Sequence, residues 1–340
     1  MSTAPPVRFG LIGCGTISDV HRRALAEIPQ ARIVAVASRN AERARAFAAK
    51  ANCHHTVDHA DLLSSPDVDA VIITTSSGSH ASISLEALAA GKHVVVEKPM
   101  AMTASEARQM ATLAANKGLQ LSVIFQRRFE PHHLAVKKAI ESGALGRLLL
   151  CEVACPYFRD QAYYDSADWR GTLALDGGAL MNQAIHSVDL LLWLAGPAAR
   201  VFAETATQTH RIEAEDLALA IVRLERGGYA TLMASTSIRP GYTPTLNFYG
   251  ELGSIKLAGA EVVAWNVPNI PAPEAPPTSA IGVATHLLAS HEAHRAQLAD
   301  FVNALSEGRP PLVTAEEGVA SVALIEAVYR SAALSVPVEL

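Results

Sequence analysis

The segment Gly10-Leu11-Ile12-Gly13-Cys14-Gly15-Thr16-Ile17-Ser18 stands between a predicted strand, Val7–Ile12, and a predicted helix, Ile17–Ile28. Glycine at position 13 permits a tight turn, and glycine at 15 lets a ligand approach the backbone. The helix beginning near Thr16 offers unpaired N–H groups and positive partial charge to a phosphate. The pattern predicts a dinucleotide-binding turn contacting Gly13, Gly15, Thr16 and Ile17, with Ser18 replacing the third glycine; a tight turn without ligand is the alternative.

The chain around this turn repeats a short β-branched run, a turn and an Ala-rich segment of helical spacing. This repetition is typical of βαβ units and of a parallel sheet covered by helices on both faces. We predict an α/β, doubly wound Rossmann domain over residues 1–125. Its predicted strands are Val7–Ile12, Ile33–Ala37, Ala70–Thr74, His93–Val96 and Leu119–Val123, and its helices are Ile17–Ile28, Ala41–Ala51, His80–Ala90 and Ala104–Ala115.

After Glu130 the pattern changes to several strand-like runs in succession, with turns such as Gly227-Gly228 between them. Neighbouring strands joined by short turns predict a mostly antiparallel sheet, and thus an α+β domain over residues 126–340. The proline-dense segment 268–277 predicts an exposed loop. Predicted strands are Leu148–Tyr157, Arg200–Thr209, Asp216–Glu225, Tyr229–Thr236, Thr243–Tyr249 and Ser254–Leu257; predicted helices are Pro131–Ser142, Ala179–Leu194, His291–Ser306 and Ala315–Ala333.

Composition limits the classes of partner. The 340 residues are 50% hydrophobic and carry a net charge of −5, so two cores are expected, and no overall basic field exists to hold nucleic acid or an anionic membrane. No apolar run approaches the ~20 residues that span a bilayer. The four cysteines lack zinc-like spacing, which indicates a reducing, cytoplasmic setting.

The end of the second strand, Ala37-Ser38-Arg39-Asn40, lacks the acidic residue that usually holds the ribose 2′-hydroxyl group. Arg39 can pair with a 2′-phosphate, and Ser38 can donate a hydrogen bond to it. The residues therefore predict NADP(H) as the preferred cofactor. The alternative is NAD(H), with Arg39 as a solvated surface charge.

Two segments carry side chains suited to proton transfer. Glu97-Lys98-Pro99 follows a predicted strand, at the sheet edge where ligands bind, so Lys98 is expected in the cofactor region rather than on the open surface. Asn182, His186 and Asp189 share one face of an apolar predicted helix that follows Gly177-Gly178. A polar stripe there needs a partner or a cavity; a hydrogen-bonded core histidine is the alternative.

Together the glycine turn, the Glu97-Lys98-Pro99 turn and the Gly-Gly helix with Asn182 and His186 resemble the Gfo/Idh/MocA oxidoreductase family, as do Gln126-Arg127-Arg128-Phe129 and Trp169-Arg170. The resemblance implies a Rossmann domain, a second domain with an open sheet, and homodimers or homotetramers formed through that sheet. It implies that Lys98, His186 and Asn182 are catalytic, with Asn182 at the position where many members have aspartate. Serine at position 76 departs from a common proline.

On this resemblance the chain transfers hydride between a nicotinamide and a secondary alcohol or ketone of a sugar, cyclitol or sugar derivative. His186 removes the hydroxyl proton, and Lys98 stabilises the charge on the same oxygen. A nucleotide-linked sugar, a non-carbohydrate diol, or a silent cofactor-binding scaffold are the alternatives. Further expected cofactor contacts are Thr75, Ser76, His80, Glu97, Lys98, Gln126, Trp169 and Arg170, and expected substrate contacts are Lys98, Arg127, Tyr157, Asn182 and His186.

No metal is expected, because no carboxylate set completes a site with the clustered histidines His54, His55, His59, His132, His133, His291 and His294.

Overall fold

The computed structural model of the chain describes residues 5–274 and 291–340. The α-helices are α1 (Thr16–Ala26), α2 (Ala41–Ala51), α3 (His59–Ser64), α4 (His80–Ala89), α5 (Ala104–Lys117), α6 (Pro131–Glu141), α7 (Gln161–Asp165), α8 (Ile185–Ala195), α9 (Glu292–Glu307) and α10 (Ala315–Leu334). A π-helix over Ala179–Ala184 leads directly into α8, and short 3₁₀ helices cover Ser77–Ser79 and Gln126–Phe129.

The strands form two sheets. They are β1 (Val7–Ile12), β2 (Ala31–Ala37), β3 (His54–Thr56), β4 (Ala70–Ile73), β5 (His93–Val96), β6 (Leu121–Val123), β7 (Leu148–Pro156), β8 (Ala198–Ala206), β9 (Leu217–Leu224), β10 (Tyr229–Ser235), β11 (Thr245–Gly250), β12 (Ser254–Ala258), β13 (Glu261–Asn266) and β14 (Val338–Glu339).

The first sheet is parallel throughout, in the order β3-β2-β1-β4-β5-β6. The strand order reverses between β1 and β4, and in such sheets the crevice beyond the carboxyl ends of the strands at this point binds ligands. The turns after β1, β4 and β5 therefore lie at the edge where a dinucleotide would bind. The predicted Rossmann domain is confirmed.

Local sequence explains where the helices of this sheet begin and end. Thr103 caps α5 in a capping box with Glu106, so two otherwise unpaired N–H groups are satisfied reciprocally. Gly118 ends the same helix at φ +64°, a conformation that glycine adopts without strain.

The described chain divides into two compact units, residues 5–126 with 291–319, and residues 127–274 with 320–340. The sequence predicts a single crossing near residue 126, but residues 291–319 return to the first unit. The reason is apolar packing: Phe301, Leu298 and Val302 on α9 are buried in one cluster with Phe9 and Leu25. A single boundary near residue 126 places α9 in the second domain, whereas the structure places it in the first unit.

The second sheet has the order β13-β12-β11-β7-β10-β9-β8-β14 and is antiparallel except between β7 and β10. Gly227 and Gly228, both at positive φ, join β9 to β10 as predicted. Residues of β9 alternate between buried and exposed, so one face of the sheet covers a core and the other is open. The predicted α+β second domain is confirmed.

Some elements differ from the prediction. The helix predicted over 179–194 begins as a π-helix, and α3, α7, β13 and β14 form where no helix or strand is predicted. Residues 268–274 form no helix or strand, and 275–277 of the predicted loop lie outside the described residues. Within residues 5–274 and 291–340, no helix combines the length and apolar character needed to cross a membrane.

Candidate active site

The glycine turn after β1 has the geometry of a phosphate-binding turn. Gly13 adopts φ +109°, and a Cβ there would lie 2.7 Å from the carbonyl oxygen of Thr74. Ser18, fully buried, has its Oγ 3.2 Å from the Thr74 Oγ1, so the small side chain allows close packing of helix and strand. Gly15 is the N-cap of α1, with no side-chain cap and open space where its Cβ would be. The uncapped N–H groups of α1 fit the pyrophosphate of a dinucleotide.

The end of β2 carries positive charge. Arg39 is exposed, and no carboxylate pairs with it among the described residues. Ser38 Oγ accepts the Asn40 N–H at 3.3 Å, and Asn40 caps α2 through the N–H of Arg43. Burial raises the pKa of Cys14 in the glycine turn, against a hydrogen bond from Ser38 and the charge of Arg43. Arg43 therefore lies near this turn, although sequence reasoning did not single it out.

The turns after β4 and β5 are tied together by His80, which is 1% exposed. Its Nδ1 lies 2.7 Å from the carbonyl oxygen of Pro99, and its Nε2 lies 3.2 Å from that of Thr75. Burial lowers the pKa of His80 despite these two acceptors. The ring thus holds two loops of the cofactor edge together instead of presenting a free nitrogen. Beside it, Ser79 Oγ lies 2.8 Å from both Thr75 Oγ1 and the carbonyl oxygen of Ser76, and these hydrogen bonds order the loop.

Glu97 holds the turn that carries Lys98. One carboxylate oxygen of Glu97 lies 2.8 Å from His21 Nε2, and the other accepts the Lys98 backbone N–H at 3.2 Å. Burial alone would raise the pKa of Glu97, but the hydrogen bond from His21 and the charges of His21, His294 and Lys98 outweigh it and lower the pKa to about 2. Glu97 is therefore a buried anion beneath the turn, and Lys98 is half-buried at the end of β5.

Two histidine–carboxylate groups exist that the sequence did not reveal. His21, Glu97 and His294 form one, and Glu130, His132 and His133 form the other, each with one ligand atom per residue within 4.8 Å of the others. The expectation that no carboxylate completes a histidine cluster is therefore wrong. His21 Nε2 already bonds Glu97, and His133 Nδ1 lies 2.8 Å from the carbonyl oxygen of Arg127.

In the second unit, Asn182 and His186 are half-buried on an otherwise apolar helix. The Asn182 amide donates to Asp176, and its oxygen accepts from Gln183 at 2.7 Å. Asp176 also accepts the Gly171 N–H at 2.7 Å, which fixes the loop before the helix. Asp189, expected on the same polar face, is buried and accepts from Arg128 at 2.9 Å. Asn182 and His186 thus remain as the partly accessible members of the predicted stripe.

Glu215 holds the first turn of this helix. Its backbone carbonyl accepts the Ala179 N–H at 2.9 Å, and its Oε1 accepts the Leu180 N–H at 2.8 Å and the Tyr329 hydroxyl at 3.0 Å. A Cβ at Gly178 would come within 2.0 Å of this carboxylate, which explains the glycine. Burial raises the pKa of Glu215 to about 7. No nearby residue in the sequence points to this role, so sequence reasoning missed it.

The remaining expected site residues lie as follows. Gln126 is half-buried, and its side-chain oxygen has no hydrogen-bond partner in the described part of the chain. Tyr157 is 8% exposed, and burial raises the pKa of its hydroxyl. Arg127 is half-buried after Gln126. The Arg170 guanidinium lies over the ring of Trp169 at 4.6 Å and over that of Tyr163 at 4.2 Å.

A parallel sheet with an uncapped glycine turn at its reversal, followed by a second domain that carries a half-buried histidine, is the architecture of a nicotinamide-dependent oxidoreductase. Residues 7–125 match the model of the Gfo/Idh/MocA oxidoreductase family, NAD-binding Rossmann fold, and residues 133–256 match that family's C-terminal domain. The chain belongs to the Gfo/Idh/MocA family. The prediction of a nicotinamide-dependent oxidoreductase acting on a CH–OH group is confirmed.

Known relatives match nearly the whole chain. The inositol 2-dehydrogenase 2 of Paenarthrobacter aurescens (strain TC1) is 30% identical, over 96% of each chain, and the inositol 2-dehydrogenase of Rhizobium meliloti (strain 1021) is 28% identical, over 96% of this chain and 97% of its own. The crystal structure of the WlbA dehydrogenase from Bordetella pertussis, in complex with NADH and UDP-GlcNAcA, is 34% identical, with a TM-score of 0.88 over 98% of this chain and 99% of that one.

Proposed function

We propose that the chain oxidises a secondary alcohol of a sugar, a cyclitol or a sugar derivative, or catalyses the reverse reduction. The half-buried pair Asn182 and His186 carries the proposal, because these polar groups lie on a helix whose other side chains are largely buried. In this proposal His186 is the base that accepts the hydroxyl proton, and Lys98 is the hydrogen-bond donor that stabilises negative charge on the reacting oxygen. The bound nicotinamide supplies the hydride acceptor.

Asn182 orients the site and does not relay a proton. An amide can donate and accept hydrogen bonds but does not ionise. Its amide group is committed to Asp176 and its oxygen to Gln183, so its orientation is fixed from both sides. This supports a positioning role for Asn182 toward a substrate hydroxyl or His186.

The test is a screen of pyranoses, inositols, sugar acids and UDP-sugars with NAD⁺ and NADP⁺, followed by absorbance of the reduced cofactor. Lys98→Ala and His186→Ala should each lower kcat by at least about 10²-fold, the usual contribution of a positioned acid or base. Both variants should still bind the cofactor, with kcat affected far more than the cofactor's dissociation constant. His55→Ala, which removes an exposed histidine, is the matched control and should turn over normally.

Near-normal turnover in Lys98→Ala or His186→Ala would remove that residue from the chemistry. If the wild type binds cofactor tightly yet oxidises none of these compounds, a silent scaffold becomes the better description. The second candidate substrate is a nucleotide-linked sugar, favoured by the similarity to the protein in complex with UDP-GlcNAcA. The UDP-sugar arm of the screen decides between the two.

For the cofactor we propose a preference for NADP(H) over NAD(H). Support comes from the exposed Arg39 after β2 and from Arg43 near the glycine turn, where a carboxylate would repel a 2′-phosphate. Arg39→Ala should lower kcat/KM with NADP⁺ by about tenfold or more, the value of a lost charge-assisted hydrogen bond, and leave kcat/KM with NAD⁺ unchanged. Equal NADP⁺ efficiency in wild type and variant would assign the site to NAD(H).

For assembly we propose a homodimer or homotetramer formed through the open face of the second sheet. Support comes from large apolar side chains that this face exposes on neighbouring strands: Phe202, Leu219, Ile221 and Tyr229. Contiguous exposed apolar side chains of this kind are typical of interaction surfaces.

A further inference from the structure

Two arginines near the candidate catalytic helix have no acidic partner among the residues that the structure describes. Arg159 and Arg170 are both half-buried, and the Nε of each is buried without a hydrogen-bond partner in the described chain. Among the described residues, no carboxylate lies within ion-pair distance of either guanidinium. Partly buried cations without a counter-charge are costly, because burial removes water while no anion compensates. The sequence contains other arginines in this unit, such as Arg128, but Asp189 neutralises that one.

Aromatic stacking holds both guanidinium groups in place. The ring of Tyr163 lies 5.2 Å from the Arg159 guanidinium and 4.2 Å from that of Arg170. The ring of Trp169 lies 4.6 Å from the Arg170 guanidinium, so two aromatic rings contact Arg170. Stacking occupies only the faces of a guanidinium. Arg159 uses in-plane N–H groups for the Phe158 carbonyl oxygen at 3.1 Å and for Gln183 at 2.8 Å, so its remaining N–H groups and those of Arg170 can bind a planar anion.

Hydrogen bonds connect this cluster to the candidate catalytic residues. Arg159 donates to the Gln183 side-chain oxygen at 2.8 Å, and the Gln183 amide donates to the Tyr163 hydroxyl at 3.1 Å and to Asn182 at 2.7 Å. Asn182 and His186 follow on the same helix. A substrate bound at His186 would therefore lie in the same unit as both arginines. Hydrogen bonds through Gln183 connect Arg159 to Asn182 on the helix of His186.

We propose that Arg159 and Arg170 form a binding site for a carboxylate or phosphate group of the substrate, so that the chain acts on an acidic sugar. This rests on the proposed function and narrows its substrate class. Arginine fits either anion, since its N–H groups form paired hydrogen bonds to two oxygens. Gln183 couples the bound anion to Asn182 and thereby sets which hydroxyl faces His186.

The experiment compares sugars with the same ring and different charge. D-glucuronate and D-glucose differ only at C6, and D-glucose 6-phosphate and UDP-glucose place a phosphate at either end. With the full chain loaded with cofactor, dissociation constants are measured by calorimetry and kcat/KM by cofactor absorbance. The wild type should bind at least one anionic sugar more tightly than glucose, and the arm that does so identifies carboxylate or phosphate as the recognised group.

Arg159→Gln and Arg170→Gln should each weaken binding of that anionic sugar at least about tenfold, as expected for a lost charge-assisted hydrogen bond. Arg159→Lys and Arg170→Lys keep the positive charge but lose the paired N–H groups of the guanidinium. They should therefore bind the anionic sugar more tightly than the Gln variants and less tightly than the wild type. The affinity for NADH and the melting temperature should stay near the wild-type values, because the proposal assigns Arg170 to the substrate in place of the cofactor contact that the sequence predicts. Arg226→Gln, at an exposed arginine in the turn after β9, is the control and should change nothing.

Unchanged affinity for every anionic sugar in both Gln variants would overturn the proposal. A loss of NADH affinity with unchanged sugar affinity would also overturn it, because the arginines would then hold the cofactor. Binding without turnover of any sugar would leave the anion site standing and refute the proposed reaction. If neutral sugars are turned over equally by the wild type and both Gln variants, the proposed reaction stands and the anion site is refuted.

Discussion

Gly13 and Gly15 are both glycines of the phosphate turn, but the structure requires them for different reasons. A side chain at Gly13 meets the backbone of Thr74 and is strained at φ +109°. Gly13→Ala should therefore lower both the melting temperature and the affinity for NADH. Gly15→Ala faces open space at an ordinary φ of −84°, so it should weaken NADH binding alone. Fluorescence titration with NADH and a thermal melt of each variant measure both effects.

The control for Gly13→Ala is Gly91→Ala, which shares a positive φ of +78° but meets no atom within 4 Å. It should lower the melting temperature modestly and leave NADH affinity intact. Wild-type NADH affinity in Gly15→Ala would show that the dinucleotide does not approach this turn.

The buried pair of Arg128 and Asp189 makes a second prediction at this scale. Both side chains are at most 4% exposed and share two hydrogen bonds. Asp189→Leu should destabilise the chain by about 3–5 kcal/mol in urea unfolding, because it leaves a buried guanidinium without its counter-charge. The double variant Arg128→Met with Asp189→Leu removes both charges and should recover most of that loss. An equally unstable double variant would assign the loss to packing instead.

Residue patterns predicted those parts of the candidate site whose geometry is local. Gly13, Gly15 and Lys98 follow strands of the sheet, so position along the chain was enough to place them. Other contacts that hold the candidate site join segments distant in the sequence. The pairs are Glu97 with His21, His80 with the carbonyl oxygen of Pro99, and Glu215 with the N–H of Leu180. Periodicity contains no information on such pairs, since they depend on tertiary packing.

At the scale of elements, the helix before His186 shows what hydrophobic periodicity cannot distinguish. The apolar run from 179 to 194 predicts one α-helix, whereas residues 179–184 are π-helical. A π-turn is uncommon and often marks a functional site. Glu215 supplies acceptors to the N–H groups of residues 179 and 180, where this helix begins. Glu215 lies just before β9, 35 residues after Leu180 in the chain, so the sequence around the helix does not reveal this contact.

Glu215 also gives the chain a pH-dependent stability. Burial raises its pKa from 4.5 to about 7, so the folded chain keeps a proton that the unfolded chain releases as pH rises through this window. Stability should therefore fall between pH 4.5 and 7, by on the order of 3 kcal/mol from this group. Glu215→Gln cannot ionise, so the difference in stability between wild type and variant should change across that window and be constant outside it.

Urea unfolding of wild type and Glu215→Gln at several pH values measures this difference. Glu225→Gln, at an exposed glutamate just after β9, provides the comparison and should track the wild type at every pH. A constant gap between wild type and Glu215→Gln from pH 4.5 to 8 would show that the carboxyl ionises normally.

At the scale of the whole molecule, the open face of the second sheet governs the proposed assembly. Ile221 on β9 and Val57 near β3 are each 55% exposed, so they differ in location and not in exposure. Ile221→Lys should lower the molar mass in light scattering to that of a smaller assembly, because a charge cannot be buried unpaired at an interface. Val57→Lys should leave the mass unchanged. An unaltered mass in Ile221→Lys would place any interface elsewhere.

The architecture of both sheets could be predicted from the order of the elements. Strands that alternate with helices indicate a parallel sheet, and successive strands joined by short turns indicate an antiparallel one. The assignment of residues 291–319 could not, since an amphipathic helix shows which of its faces is buried and not what covers that face. Phe301 lies 6.4 Å from Phe9 between ring centroids, almost three hundred residues away in the chain. Only the folded structure connects these two rings.

The place of α9 beside Phe9 and Leu25 has a consequence for biosynthesis. The ribosome synthesises seven of the eight strands of the second sheet, β7 to β13, before it synthesises α9, which completes the first core. Until then, the apolar surface that α9 covers stays exposed in the nascent N-terminal part. A gene fragment stopping at codon 126 should therefore yield aggregated polypeptide, and fusing codons 291–319 behind it through a flexible linker should rescue the yield.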